Sequence, residues 1–165
     1  MRRRWLSLYV ENEVGVLARI AGLFSGKSYN LHSLTVGETE DTTVSRMTIC
    51  VEGDDATFEQ IKKQLNRLVE VIKVVDLSNK PMHIKELLYL KVKNCTEKEK
   101  TEVLRIADVF HVSVADYGKD SILLECLQTE QRNNDIVAAV AILCKQMEVV
   151  RGGSVAVESI SITDR

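Results

Sequence analysis

The ten residues ENEVGVLARI, positions 11–20, place Asn12 and Gly15 between an alternating apolar run and a segment with helical spacing. A chain that leaves a strand at Asn12 and enters a helix through Gly15 leaves the amides of the first helical turn without intrahelical partners, and a glycine lets another group approach that backbone closely. Free N–H donors and the positive end of the helix dipole both favour a carboxylate or a phosphate. Val16 and Leu17 add an apolar wall. The combination suits a small amino acid, whose ammonium group can be met by the side-chain amides of Asn12 and Asn30, since an amide both donates and accepts. The same glycine also fits a plain turn, and the spacing alone leaves both readings open.

Other chemistry has little to work with. Cys50, Cys95, Cys126 and Cys144 are widely spaced, with no CxxC pair and no clustered histidines, so neither a zinc site nor a disulfide framework is expected. They read as buried small apolar residues. A net charge of -2 offers no basic field for nucleic acid, and Arg2, Arg3 and Arg4 form only a local, solvated triplet. No apolar run approaches the roughly 20 residues that cross a bilayer. Met1 leads straight into RRRWLSLYV, which alternates like a strand where a secretory leader would have an apolar core, so a cytoplasmic protein is expected. With 45% apolar and 28% charged residues, the 165-residue chain falls among globular proteins of one ordinary or two small domains.

The elements that must carry the join follow from periodicity. Trp5 to Val10 alternates as a strand, and Leu17, Ile20, Ala21 and Phe24 recur on one helical face. Asn30 to Glu38 and Val44 to Glu52 are β-rich runs joined by the turn-like ETEDTT. Asp54 or Asp55 caps a helix lined by Phe58, Ile61, Leu65 and Leu68, and Val71 to Leu77 closes the unit as a strand. The order is βαββαβ.

SNKPMH, residues 78–83, holds the only proline and marks a linker between residues 1–77 and 84–165. The pattern then repeats. Ile84 to Val92 is a strand, and Thr96 with Glu99 has capping-box spacing before a helix with Val103, Ile106, Ala107 and Phe110 on its apolar face. Within that helix the charge run TEKEKTE reads as the solvated side. Val112 to Tyr117 and Ser121 to Leu127 form a hairpin through GKD. A helix bearing Ile136, Val140, Leu143 and Met147 follows, then Glu148 to Val150, a turn at RGGS and a last strand through Val155 and Val157.

Two βαββαβ units imply an α+β protein of two ferredoxin-like sandwiches in tandem, each an antiparallel sheet with both helices on one face. A unit of about 80 residues has a modest core. Strand positions Trp5, Met47 and Ile49 add apolar surface beyond what one helical layer covers, which predicts a homodimer, edge to edge or face to face. An RNA-binding βαββαβ domain would need aromatic residues on its central strands, and SRMTICV has none. A small hydrolase of this shape would need a phosphate-cradling arginine loop, and ENEVG is acidic.

The run ENEVGVLARIAGLFSGKSYNLHSLTV, followed by SRMTI and by IKKQLNRLVEVIKVVDL, resembles the N-terminal ACT domain of the regulatory (small) subunit of acetolactate synthase, also called acetohydroxyacid synthase. The likeness continues more faintly through ELLYLKV, ADVFHVSVADYGKDSILLE and EVVRGGSVAV, and so spans nearly the whole chain. The resemblance implies a chain with no catalytic residues, metal or cofactor of its own. It implies a partner, the large catalytic subunit, which carries thiamine diphosphate, magnesium and FAD and joins pyruvate to a second 2-keto acid. The small subunit of the family raises that activity and confers feedback inhibition, usually by valine, bound where two ACT domains meet. Asn12 matches the family's asparagine at the strand end, Gly15 its helix-start glycine, and Val16 and Leu17 the residues after it. Asn30 and Leu31 match the segment of the neighbouring copy that closes the pocket. A free-standing ACT amino-acid sensor of another enzyme, or of a transcriptional regulator, shares these features and stays open as the alternative.

Two stretches depart from the family. KSYNLHS stands where RGYNIES or RGFNIES is usual, so Ser28 replaces a helix-ending glycine and His32 an acidic residue. Gly26 is then expected to end the helix in a left-handed conformation, and His32 reads as a surface residue. LQTEQRNN replaces a glycine-containing turn and a lysine.

Overall fold

The structure is a computed structural model that describes residues 2–26 and 29–160. Two βαββαβ units are present. In the first, β1 (Arg2–Glu11), α1 (Val16–Gly26), β2 (Asn30–Glu38), β3 (Val44–Gly53), α2 (Asp55–Leu65) and β4 (Val71–Asp76) build an antiparallel sheet of order β2-β3-β1-β4. In the second, β5 (Met82–Val92), α3 (Glu97–Phe110), β6 (Ser113–Tyr117), β7 (Ile122–Gln128), α4 (Glu130–Leu143) and β8 (Met147–Glu158) build a sheet of order β6-β7-β5-β8. The ferredoxin-like tandem is therefore as expected. By compactness the described residues divide into 2–84 with 155–160, and 85–154. The end of β8, assigned from sequence to the second half, therefore groups with the first unit.

Period-two alternation puts Leu6, Leu8 and Val10 of β1 and Met47, Ile49 and Val51 of β3 on one face of the first sheet. Against them lie Val16, Ile20 and Phe24 of α1 and Phe58, Ile61 and Leu65 of α2, all buried in one cluster. Met47 and Ile49 hence belong to the helix-covered core, not to a surplus face. The opposite face is also not bare apolar surface. It carries Ser7, Thr48 and Cys50, buried as well, and within this unit Ala156 lies over it: its amide donates to Thr48 Oγ1 at 3.4 Å, and its carbonyl accepts from Arg46 at 3.3 Å. What remains open in the first sheet is its edges, β2 and β4.

The α1 face is also shifted from expectation. Val16, Ile20 and Phe24 face the core with Leu23 partly buried, whereas Leu17 is 45% exposed. Gly26 is the last helical residue and is not left-handed, since among the described glycines only Gly15 and Gly153 have positive φ. Ser28 lies outside the described residues.

Local rules set the helix starts. Asp54 caps α2, its carboxylate accepting from the Thr57 amide at 2.7 Å, and that hydrogen bond holds the Asp54 carboxyl below its ordinary value. Its contribution is present at neutral pH and is lost as acid protonates it. Thr96 and Glu99 form the full capping box on α3: the Thr96 amide donates to Glu99 Oε2 at 2.7 Å, and the Glu99 amide to Thr96 Oγ1 at 3.3 Å. Thr96→Ala is expected to cost about 1 kcal/mol in urea-unfolding stability. A loss below a few tenths would show that tertiary packing alone positions α3.

The second core packs Leu88, Leu90 and Val92 with Ile122, Leu124, Val103, Ala107, Ile136 and Val140. Three readings are corrected here. Lys100 is not on a solvated face but 2% exposed: its ammonium donates to the Lys119 carbonyl at 2.7 Å, pairs with Glu97 at 2.7 Å and lies over the Tyr117 ring. Its four-carbon stem fills the interior while the backbone of the GKD turn satisfies the charge. Met147 is not on α4, because Cys144 ends that helix in extended conformation and Met147 opens β8. RGGS is no turn either. β8 runs through it, with Gly153 at φ 84° absorbing the distortion, and Gly152 lies close against the Leu87 carbonyl. LQTEQRNN is accounted for by Thr129, which caps α4, and by buried Asn133, which donates to the Glu86 carboxylate at 2.9 Å. Arg151 reaches the same carboxylate, also at 2.9 Å.

Candidate functional site

The join between β1 and α1 sits at one end of the first sheet. Gly15 has φ 93°, a conformation that other L-residues rarely adopt, and a Cβ placed on it would meet no heavy atom within 4 Å. The space above this backbone is open. The Arg19 amide donates to the Gly15 carbonyl at 3.0 Å as the first helical rung, so the amides of Leu17 and Ala18 precede the ladder. No acidic side chain occupies the first turn of α1. The positive end of its dipole is left for an anion.

Asn12 does more than sequence suggests. Its Nδ2 donates to the Thr42 carbonyl at 2.8 Å and to Glu38 Oε2 at 3.3 Å, and its Oδ1 accepts from Ser45 Oγ at 2.9 Å. The Asn12 amide donates to the Thr43 carbonyl at 2.8 Å. Asn12 therefore clamps the β2–β3 turn against the join, with Oδ1 able to accept a second hydrogen bond. Asp41 stiffens the same turn by accepting from the Thr43 hydroxyl at 2.7 Å and amide at 2.9 Å, hydrogen bonds that hold its carboxyl low. Glu38, Thr42 and Ser45 were not legible as neighbours of Asn12, because the β1–β3 register brings Thr42 and Ser45 to it and β2–β3 pairing adds Glu38.

The apolar wall is divided. Val16 is 5% exposed and belongs to the core, whereas Leu17 and the fully exposed Val14 face outward. On the other side, Arg19 of α1 forms an ion pair with Glu70, whose carbonyl accepts from the Glu11 amide at 2.9 Å.

Asn30 and Leu31 do not join this group within one chain. They pair with Glu52 and Val51, whereas Glu38 at the other end of β2 pairs with Ser45 beside Asn12. Eight residue steps of strand separate the two ends by about 26 Å. The register shifts between Leu31 and Ser33, so His32 is the extra residue of a bulge, and it is exposed.

A βαββαβ unit with an open, glycine-turned helix start, followed by a second unit of the same order, defines a tandem α+β protein whose first unit is an ACT domain. The comparisons agree. Residues 6–73 match the AHAS small subunit-like ACT domain, and residues 85–160 match the small subunit of acetolactate synthase. The chain belongs to the acetolactate synthase small-subunit family. It is 39% identical to the acetolactate synthase small subunit of Haemophilus influenzae, over 94% of each chain. It is 37% identical to the acetolactate synthase isozyme 3 small subunit of Escherichia coli, over 93% of each. The small subunit from Thermotoga maritima superimposes with a TM-score of 0.88 at 31% identity, covering 98% of this chain and 100% of that one. Among the described residues no helix is long and apolar enough to cross a membrane, and no three metal-ligating side chains cluster.

Proposed function

We propose that this chain binds and activates the large catalytic subunit of an acetolactate synthase and confers feedback inhibition by a branched-chain amino acid, valine first. Thiamine diphosphate, magnesium and FAD belong to that partner. The effector's carboxylate sits over the amides after Gly15, its side chain lies against Leu17, and its ammonium meets the remaining Oδ1 lone pair of Asn12.

The observation that carries this reading is the open backbone at Gly15, set at one end of a sheet whose β2 edge is free to pair. Two copies paired antiparallel through β2 about Leu34 place Asn30 of one copy opposite Glu38 of the other. Asn12 already holds that Glu38. Asn30 and Leu31 of a second copy thereby close the pocket that a single chain leaves open, and the effector site exists only in the dimer.

The test is reconstitution of the purified chain with its large subunit, with acetolactate measured across a valine titration. Stimulated turnover that valine suppresses is the expected result. Acetolactate made by the isolated chain would refute a regulatory role. Absence of stimulation, together with capture of a different enzyme or of a transcriptional regulator from the native host, would assign the ACT unit to a free-standing sensor.

A further inference from the structure

The four cysteines are all buried, but two of them are neighbours in space. The Lys93 amide donates to the Gln146 carbonyl at 3.0 Å, and the Asn94 side chain reaches Gln146 Oε1 at 2.5 Å. This bond sets the chain leaving β5 beside the chain entering β8, with Cys95 two residues beyond Lys93 and Cys144 two residues before Gln146. Asn94, at φ 53°, turns the chain toward α3, and the Cys95 and Cys144 thiols are near enough to perturb one another's ionisation. Both line a cavity of about 220 Å³ open to solvent, and they are 8% and 4% exposed. Cys50 and Cys126 are each 0% exposed.

We propose that Cys95 and Cys144 are a peroxide-oxidisable thiol pair in which Cys95 is the attacking sulfur and Cys144 the resolving one. Cys95 immediately precedes the N-cap of α3, where the helix dipole favours a thiolate. Burial is the largest influence on the Cys95 thiol and raises it, while the neighbouring Cys144 favours the Cys95 thiolate and Cys95 in turn disfavours ionisation of Cys144. Lys100 assists, while burial, Glu99 and Asp120 oppose and leave the Cys95 thiol above its ordinary value. Burial, the strongest influence on Cys144, helps push its thiol up to about 11. Lys93, Lys145 and Glu99 complete the charged lining of the cavity.

The chemistry balances with hydrogen peroxide as the oxidant. The Cys95 thiolate attacks one peroxide oxygen, the O–O bond breaks, and the departing hydroxide takes a proton to become water, leaving a sulfenic acid on Cys95. The Cys144 sulfur then displaces hydroxide from that sulfenic sulfur, the S–S bond forms, and the Cys144 proton leaves in a second water. One peroxide is reduced and two thiols are oxidised. The product ties the entry of α3 to the exit of α4.

The experiment is peroxide treatment of the full-length chain, followed by alkylation and peptide mapping. The expected product is one Cys95–Cys144 cross-linked peptide, two hydrogens lighter than the reduced pair and reversed by dithiothreitol, with Cys50 and Cys126 alkylated throughout. Below the thiol pKa its rate should rise about tenfold per pH unit with the thiolate fraction. In Cys144→Ser, a dimedone adduct should accumulate on Cys95, and in Cys95→Ser none should form on Cys144. Oxidation spread evenly over the four cysteines, no cross-link in the wild-type chain, or an adduct on Cys144 in Cys95→Ser would each overturn the proposal. The wild-type mapping decides even where a serine variant fails to fold.

Discussion

Gly15→Asp is expected to abolish inhibition by valine while leaving stimulation of the large subunit intact. Two effects act at this position. Any L-residue at φ 93° is strained, at about 1 to 2 kcal/mol, and the aspartate adds a negative charge at the proposed position of the effector's carboxylate. Like-charge juxtaposition in a binding site costs several kcal/mol, against an allosteric coupling of about 1 to 3 kcal/mol, so the charge decides the outcome. Gly15→Ala separates the two: it carries the strain alone, and the open space above Gly15 accepts its methyl, so a weakened but measurable valine response is expected. Asn30→Ala should weaken inhibition by about 1 to 3 kcal/mol, because it removes a partner without adding repulsion. Stimulation survives in all three, since a ligand only biases an equilibrium between states that exist without it. The decisive measurement is a valine titration of the reconstituted enzyme, with calorimetry on the small subunit. A folded, dimeric, activating Gly15→Asp chain with an unchanged valine response would place the effector site elsewhere.

Phe58→Ala is expected to give a large loss of stability in the first unit. Phe58 is 2% exposed and among the largest fully buried or nearly buried side chains of that core, with the Arg4 guanidinium and the Lys62 ammonium over its ring at 5.2 and 5.1 Å. Truncating a buried phenylalanine costs about 3 to 5 kcal/mol from lost burial and the cavity left behind. For a unit of this size each kcal/mol lowers the melting temperature by about 4 to 8 °C, so a fall of at least about 12 °C is expected. Trp5, the single tryptophan, lies in the same unit and reports its unfolding by fluorescence. A shift below about 3 °C would mean that the core collapses around the missing ring. Leu17→Ala is the contrast, since Leu17 is 45% exposed and its loss should leave the Trp5 transition in place while weakening effector binding.

Much of this was legible in the sequence, because it depends on neighbours along the chain. Alternation placed Leu6, Leu8 and Val10 on one sheet face, helical spacing found Phe58, Ile61 and Leu65, and the capping residues Asp54 and Thr96 declared the helix starts. Gly15 at a strand-to-helix join was readable for the same reason. A positive φ and amides that precede the helical ladder are properties of one short segment.

What the sequence left undecided were the features set by residues far apart in the chain. Period two separates the faces of a strand but does not say which face meets the helices, so Met47 and Ile49 were set on the wrong one until the β1–β3 register fixed them beneath α1 and α2. Lys100 sat in a charge run that looks solvated, and only the fold of the GKD turn over α3 supplies the carbonyls that let it be buried. The role of Asn12 as a clamp on the β2–β3 turn depends on Thr42 and Ser45, some thirty residues away. Tertiary structure likewise decided that Asn12 and Asn30 stand at opposite ends of one sheet, because antiparallel strands of fixed rise hold them apart. In the dimer proposed above, a second copy would bring them together.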